Sequence, residues 1–208
     1  MVQDCIENLN ALINALLPIL KSHGSVSSQQ LNRPATVVRP AGVGDAPVWS
    51  ALHLRCLDET YRPLFGDAFA DRQRAAAERT AGHDRDLLAD PHVRTLLAVD
   101  DDGAALGLVS AGPAPAAWES RAGVPAPVVP RQLFQLYTLP AAHGTGLGAA
   151  LLDAAIGASD AYLWIMAGNA RAERFYVRHG FRALGESYPA GGSWAGQDMH
   201  RMLRAGAA

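Results

Sequence analysis

Cysteine is scarce in this chain: 208 residues carry two, Cys5 and Cys56. They lie far apart in sequence and match no metal-ligand spacing, so neither a disulfide framework nor a thiolate metal site organises the fold, and no metal is expected. Free thiols in a reducing compartment are expected instead. An excess of one charge is also missing. The formal net charge is -2, without the clustered Lys and Arg that drive phosphate-backbone binding, so nucleic acid is not the expected partner. Long hydrophobic runs are absent too. The densest, Ala15 to Leu20, is too short to span a bilayer, and Asp4 and Glu7 stand where a signal peptide would be positive. A soluble cytoplasmic protein with no membrane partner is expected.

What is present supports a core. At 49% hydrophobic content, a chain of this length can bury enough surface for one domain without staples. Residues 1–33 differ from the rest, holding the only lysine, Lys21, and four of the five asparagines. They read as a helical appendage and linker ahead of a domain over residues 34–208. Ile6, Leu9, Ile13, Leu16, Leu17 and Leu20 fall on one helical face, Asp4 with Glu7 resembles a capping box, and Pro18 should kink or end the helix. Such a helix can lie on its own domain or on a second copy, so a homodimer is open. Ser22 to Asn32 reads as a linker.

Ala35 to Pro40 reads as a first strand, and Asp45 is placed to cap a helix to about Tyr61 that buries Val48, Leu52 and Leu57. A second helix is expected from Asp67 to about Thr80. Val93 to Val99 and Ala104 to Ser110 flank an Asp-Gly step, which predicts an antiparallel hairpin. Ala111 to Pro130 carries five prolines and reads as a long loop, suited to be a pocket wall. Ala161 to Met166 is a buried strand, and Asn169 starts a helix to about His179 that Gly180 stops. Phe181 to Ser187 and Asp198 to Leu203 are the last strand candidates.

The chain is organised around Leu133 to Ala155: an apolar strand to Leu139, glycines at 144, 146 and 148, then a run with helical spacing. Amides of a glycine loop at a helix N-terminus converge on one point and suit an anion, most simply a phosphate. Gly144-x-Gly146-x-x-Ala149 also fits a dinucleotide fingerprint. The next strand, however, ends in Ala167, Gly168 and Asn169 rather than an acid, and an antiparallel hairpin precedes the loop where parallel units belong. No Gly-Lys-Ser/Thr follows, so a Walker loop fails.

His143-Gly-Thr-Gly-Leu-Gly148 resembles the Arg/Gln-x-x-Gly-x-Gly/Ala signature of the GNAT superfamily of acetyl-CoA-dependent N-acetyltransferases. Leu163 to Phe181, with Asn169, the Phe175-Tyr176 pair and Gly180-Phe181, resembles the next block of that superfamily, and the likeness spans roughly residues 35–204. It implies an α/β (α+β) fold: a mixed, mostly antiparallel sheet of about seven strands with helices on both faces. It implies acetyl-CoA as co-substrate, a small-molecule amine or a peptide as acceptor, and acetyl transfer to a primary amine by direct attack in a ternary complex. Backbone groups of Leu136, Tyr137 and Thr138 would hold the pantetheine arm, His143, Gly144, Thr145, Gly146, Leu147 and Gly148 the pyrophosphate, and Asn169 a further cofactor contact. His143 departs from the pattern and removes a donor that often serves the pyrophosphate.

By the same resemblance, Tyr176 is the general acid for the departing thiolate, and a phenol with pKa about 10 can serve a thiol of about 8.5. Packing beside Phe175 would also account for a Tyr there, and a helix cap would account for Asn169. Glu59, Glu119, Asp198 and His200 stand near the expected acceptor groove as candidate bases, none with a clear claim. A non-catalytic acyl-CoA-binding sensor or interaction module is the alternative function, and a nucleotide-dependent oxidoreductase a distant third.

Overall fold

The computed structural model describes residues 36–116, 118–119, 122–125 and 129–205. The helical appendage expected over residues 1–33, and Cys5 with it, lies outside the described residues.

Eight strands form one sheet. They are β1 (Val37–Pro40), β2 (Arg94–Val99), β3 (Ala105–Pro113), β4 (Arg131–Thr138), β5 (Ala161–Met166), β6 (Arg182–Ala183), β7 (Tyr188–Pro189) and β8 (Asp198–Arg204). Their order is β1-β2-β3-β4-β5-β8-β6, with β7 also paired to β8. Every pairing is antiparallel except β4 with β5. The expected strand over Phe181 to Ser187 is cut back to β6, because Gly185 has φ +76° and interrupts the extended run, and β7 begins just beyond it.

The helices α1 (Ala46–Phe65), α2 (Asp67–Ala89), α3 (Leu147–Ile156) and α4 (Ala170–Arg178) cover both faces. On one face Leu147, Leu151, Leu152 and Ile156 of α3 and Tyr176 of α4 pack with Leu96, Val109, Leu133 and Ile165 of the sheet. On the other, Trp49, Leu52 and Cys56 of α1 meet Leu97 and Leu108. A fully buried Leu such as Leu151 or Leu97 contributes about 1.5–3 kcal/mol through its burial.

Two local expectations are corrected. Val48 is 47% exposed, because the buried stripe of α1 runs through Trp49, Leu52 and Cys56 at spacings of three and four, and Val48 sits a quarter turn off it. Asp45 makes no side-chain cap of α1. Its carboxylate accepts from Gly42 N at 3.0 Å and pairs with Arg39 at 2.6 Å, and these bonds hold it well below the usual range, at about 2. The second helix also runs on to Ala89, and β3 enters the proline-rich segment as far as Pro113, which pairs with Arg131. Pro113 is the last residue of its strand, a place where proline costs little.

The position of the site follows from the middle of the sheet. Strands β4 and β5 pair only at Gln132↔Tyr162 and Leu133↔Leu163. On its other side β4 pairs with β3 as Ser110↔Gln135 and Ala111↔Leu133, which leaves Phe134 as an extra residue. A bulge of this kind bends its strand and sharpens the local twist. Beyond Leu133, β4 therefore turns away from β5 and the sheet opens.

Candidate active site

A cavity of about 370 Å³ occupies the opening. Side chains alternate along β4, so its wall belongs to both faces of the sheet. Leu136 packs with the α3 and α4 side, whereas Tyr137 packs with α1. From α1 come Thr60 and Tyr61, from β5 Leu163, Trp164 and Ile165, and from α4 Arg171, Ala172, Phe175, Tyr176 and Arg178.

One end of the cavity is the glycine loop. Gly144 and Gly146 have φ +73° and +89°, conformations that favour glycine, and a Cβ on either would meet nothing within 4 Å. At Gly148 a Cβ would lie 3.3 Å from Phe175 Cε2, so this glycine lets α3 and α4 approach. No side chain caps α3 at Gly146, and the first-turn residues Gly148 and Ala149 lie in the cavity wall with amides that have no acceptor within the helix. This is an anion cradle.

Of the residues expected at the site, Leu136, Tyr137, Thr138, His143, Gly144, Gly146, Gly148, Asn169 and Tyr176 line the cavity. Thr145 and Leu147 do not. Thr145 Oγ1 donates to Ala142 O at 2.8 Å and accepts from Leu147 N at 3.2 Å, shaping the loop from behind, and the Leu147 side chain is buried in the core.

His143 donates from Nε2 to Thr138 O at 3.2 Å. Burial and then the nearby Arg171 charge lower its pKa, so the imidazole is neutral at pH 7 and brings no charge to the anion site. Arg171 and Arg178 supply it. Both lie in the cavity wall, seven residues apart on one face of α4, with Phe175 between them. The sequence reading missed these two arginines, although the spacing of Arg171, Phe175 and Arg178 was there to find.

Tyr176 is buried, and that burial raises its phenol well above the ordinary value. Tyr61 and Tyr137 are raised for the same first reason. Asn169 works in two directions. Its Oδ1 accepts from Ala172 N at 3.2 Å, capping α4, and its Nδ2 donates to Tyr61 Oη at 3.3 Å across the opening. The side chain thus ties the α4 wall to the α1 wall.

None of the four candidate bases lines the cavity. Glu119 is 1% exposed and takes a 2.7 Å hydrogen bond from Tyr162 Oη, which also lies 2.9 Å from the Gln132 amide. It pins the proline-rich loop to the paired end of β4 and β5. Glu59 accepts from Arg55 at 2.9 Å, and Asp198 and His200 belong to β8. Trp194 packs edge-on against Tyr61 at 5.0 Å, behind the wall. Among the described residues no group of His, Cys, Asp or Glu could hold a metal, and no helix is long and apolar enough to cross a membrane.

Residues 91–183 match the family model of the acetyltransferase (GNAT) domain. That stretch, under half of the chain, is similar to a GNAT domain. The chain's mixed, mostly antiparallel sheet with helices on both faces is the GNAT fold. The PaiA N-acetyltransferase of Thermoplasma acidophilum, solved in complex with coenzyme A, is similar over 82% of this chain and 99% of its own, at 15% identity and a TM-score of 0.55. A histone acetyltransferase HPA2 and related acetyltransferase from Corynebacterium glutamicum is similar over 84% and 98%, at 26% identity and a TM-score of 0.54. Arabidopsis thaliana NAA60, in complex with a bisubstrate analogue, is similar over 82% and 98%, at 15% identity and a TM-score of 0.55. No curated protein matches the chain by sequence.

Proposed function

We propose that this domain transfers the acetyl group of acetyl-CoA to a primary amine, by direct attack in a ternary complex. The observation that carries the reading is the cavity through the sheet, with the anion cradle at one end and Tyr176 in its wall. Acetyl-CoA supplies a thioester, a pantetheine arm with amides, and phosphates. The residues fit each part. The cradle amides and the Arg171 and Arg178 guanidiniums suit the phosphates. Because β5 stops pairing at Leu163, the β4 edge from Phe134 to Thr138 offers backbone groups that can hold the pantetheine amides as an added strand would.

A backbone N–H on the same edge polarises the thioester carbonyl as the amine attacks. Tyr176 holds its proton through burial and gives it to the departing sulfur. Among the described residues no carboxylate lines the cavity, so the proton of the amine is assigned to water.

Titration calorimetry with acetyl-CoA tests the cofactor half, and absence of binding at millimolar ligand would refute it. Tyr176→Phe tests the acid. Turnover, read as release of free CoA, falls about 10²–10⁴-fold while KM for acetyl-CoA holds. A variant with full turnover would remove Tyr176 from the mechanism.

A further inference from the structure

Among the buried side-chain atoms without a hydrogen-bond partner are Gln135 Oε1, Trp164 Nε1 and Ser110 Oγ. Gln135 and Trp164 both line the cavity. They stand on the two strands that separate, two residues beyond Leu133 on β4 and one beyond Leu163 on β5. Ser110 is directly opposite Gln135 in the β3–β4 ladder, fully buried, and such partners share a face of the sheet. Gln135 also shares that face with Tyr137, two residues on, which packs with α1. Buried polar groups left unmade are costly, and two of them in the wall of one cavity, on the two strands that separate, mark a place where a ligand completes them.

Resting on the acetyltransferase reading, we infer that the acceptor is a primary amine with an uncharged amide beside it, recognised by Gln135 and Trp164. The Trp164 N–H suits the amide carbonyl and Gln135 Oε1 suits the amide N–H. The same wall rejects charge. Among the described residues no carboxylate lines the cavity to meet a second cation, so polyamines are disfavoured. An acceptor carboxylate fares no better. The cation nearest Trp164, Arg201, lies 5.5 Å over its ring and is already committed to Glu186 and to Pro125 O. Aromatic walls from Tyr61, Tyr137 and Trp164 favour an apolar body.

The test is a matched set of acceptors under saturating acetyl-CoA: phenylalaninamide, phenethylamine, phenylalanine and spermidine, each read as CoA release. Phenylalaninamide is expected to lead in kcat/KM by roughly tenfold or more, since a site built to pair a polar group discriminates strongly against ligands that lack it. Gln135→Leu and Trp164→Phe should lower kcat/KM for phenylalaninamide about tenfold more than for phenethylamine, chiefly through KM. Equal loss for phenylalaninamide and phenethylamine is what a merely structural role gives, and it overturns the assignment. So does a preference for phenylalanine or spermidine. A tripeptide amide beginning with phenylalanine separates the two sources of this chemistry, a peptide N-terminus and a small amino amide. Acetyl-CoA binding without a preference for the amide refutes this inference alone. Loss of acetyl-CoA binding refutes the acetyltransferase reading beneath it.

Discussion

Acidification should loosen this domain through one side chain. His53 of α1 packs its ring 5.1 Å from that of Tyr137 in the cavity wall, and burial pushes the imidazole down to about 4 against the pull of Asp84. A folded pKa below the unfolded 6.5 means that the stabilisation is present above pH 6.5 and lost as pH falls toward 4. Worked between pH 7 and pH 5, the linkage amounts to about 2 kcal/mol, an upper figure because part of the ring reaches solvent. For a domain of this size that is a fall in Tm of about 4–8 °C. Calorimetry of the wild type and of His53→Gln at both pH values isolates it, because every other titratable group is common to the two proteins. The variant should lose most of the pH sensitivity. Equal falls in the two proteins would refute the placing of an uncharged His53 against Tyr137.

Gly107→Ala should damage the cleft from behind. Its Cβ would lie 2.9 Å from Leu151 Cδ1 and 3.0 Å from Tyr137 O, and the second of these is backbone, so about 1–3 kcal/mol of stability and some acetyl-CoA affinity should be lost, read by calorimetry and by KM. Arg171→Ala and Arg178→Ala should each raise KM for acetyl-CoA about tenfold with kcat little changed, and weaken the salt dependence of binding. A salt dependence equal to that of the wild type would take the arginines off the phosphates. Asn169→Ala should lower stability by about 1 kcal/mol through loss of the α4 cap, seen as a lower denaturant midpoint.

Much of the cleft was legible because it is written in local patterns. The apolar runs of β4 and β5, the three alternating glycines, and Asn169 ahead of an amphipathic turn each declare an element within ten residues or so. Tyr176 is named by resemblance, and the structure places it in the cavity wall. The parts that escaped depend on partners distant in sequence. Phe134 is a bulge only because β3 pairs on both sides of it. Glu119 reads as a candidate base near the acceptor groove until Tyr162 and Gln132, 43 and 13 residues away, are folded around it. Gln135 and Trp164 looked like ordinary strand residues, since nothing local tells a paired amide from an orphaned one. Asp45 looked like a helix cap, and its carboxylate went instead to Arg39, six residues back, because a bidentate guanidinium outcompetes amides that water can satisfy.

The seam between β4 and β5, only two register pairs long, also bears on how the protein comes apart. To either side of it lie ladders that are continuous over most of their strands, β1 to β4 and β5 to β8, which could open as separate cooperative units. A ligand laid along the β4 edge would act as mortar between them. Amide exchange in β4 and β5 should then slow together on binding, and the two half-sheets should melt as one.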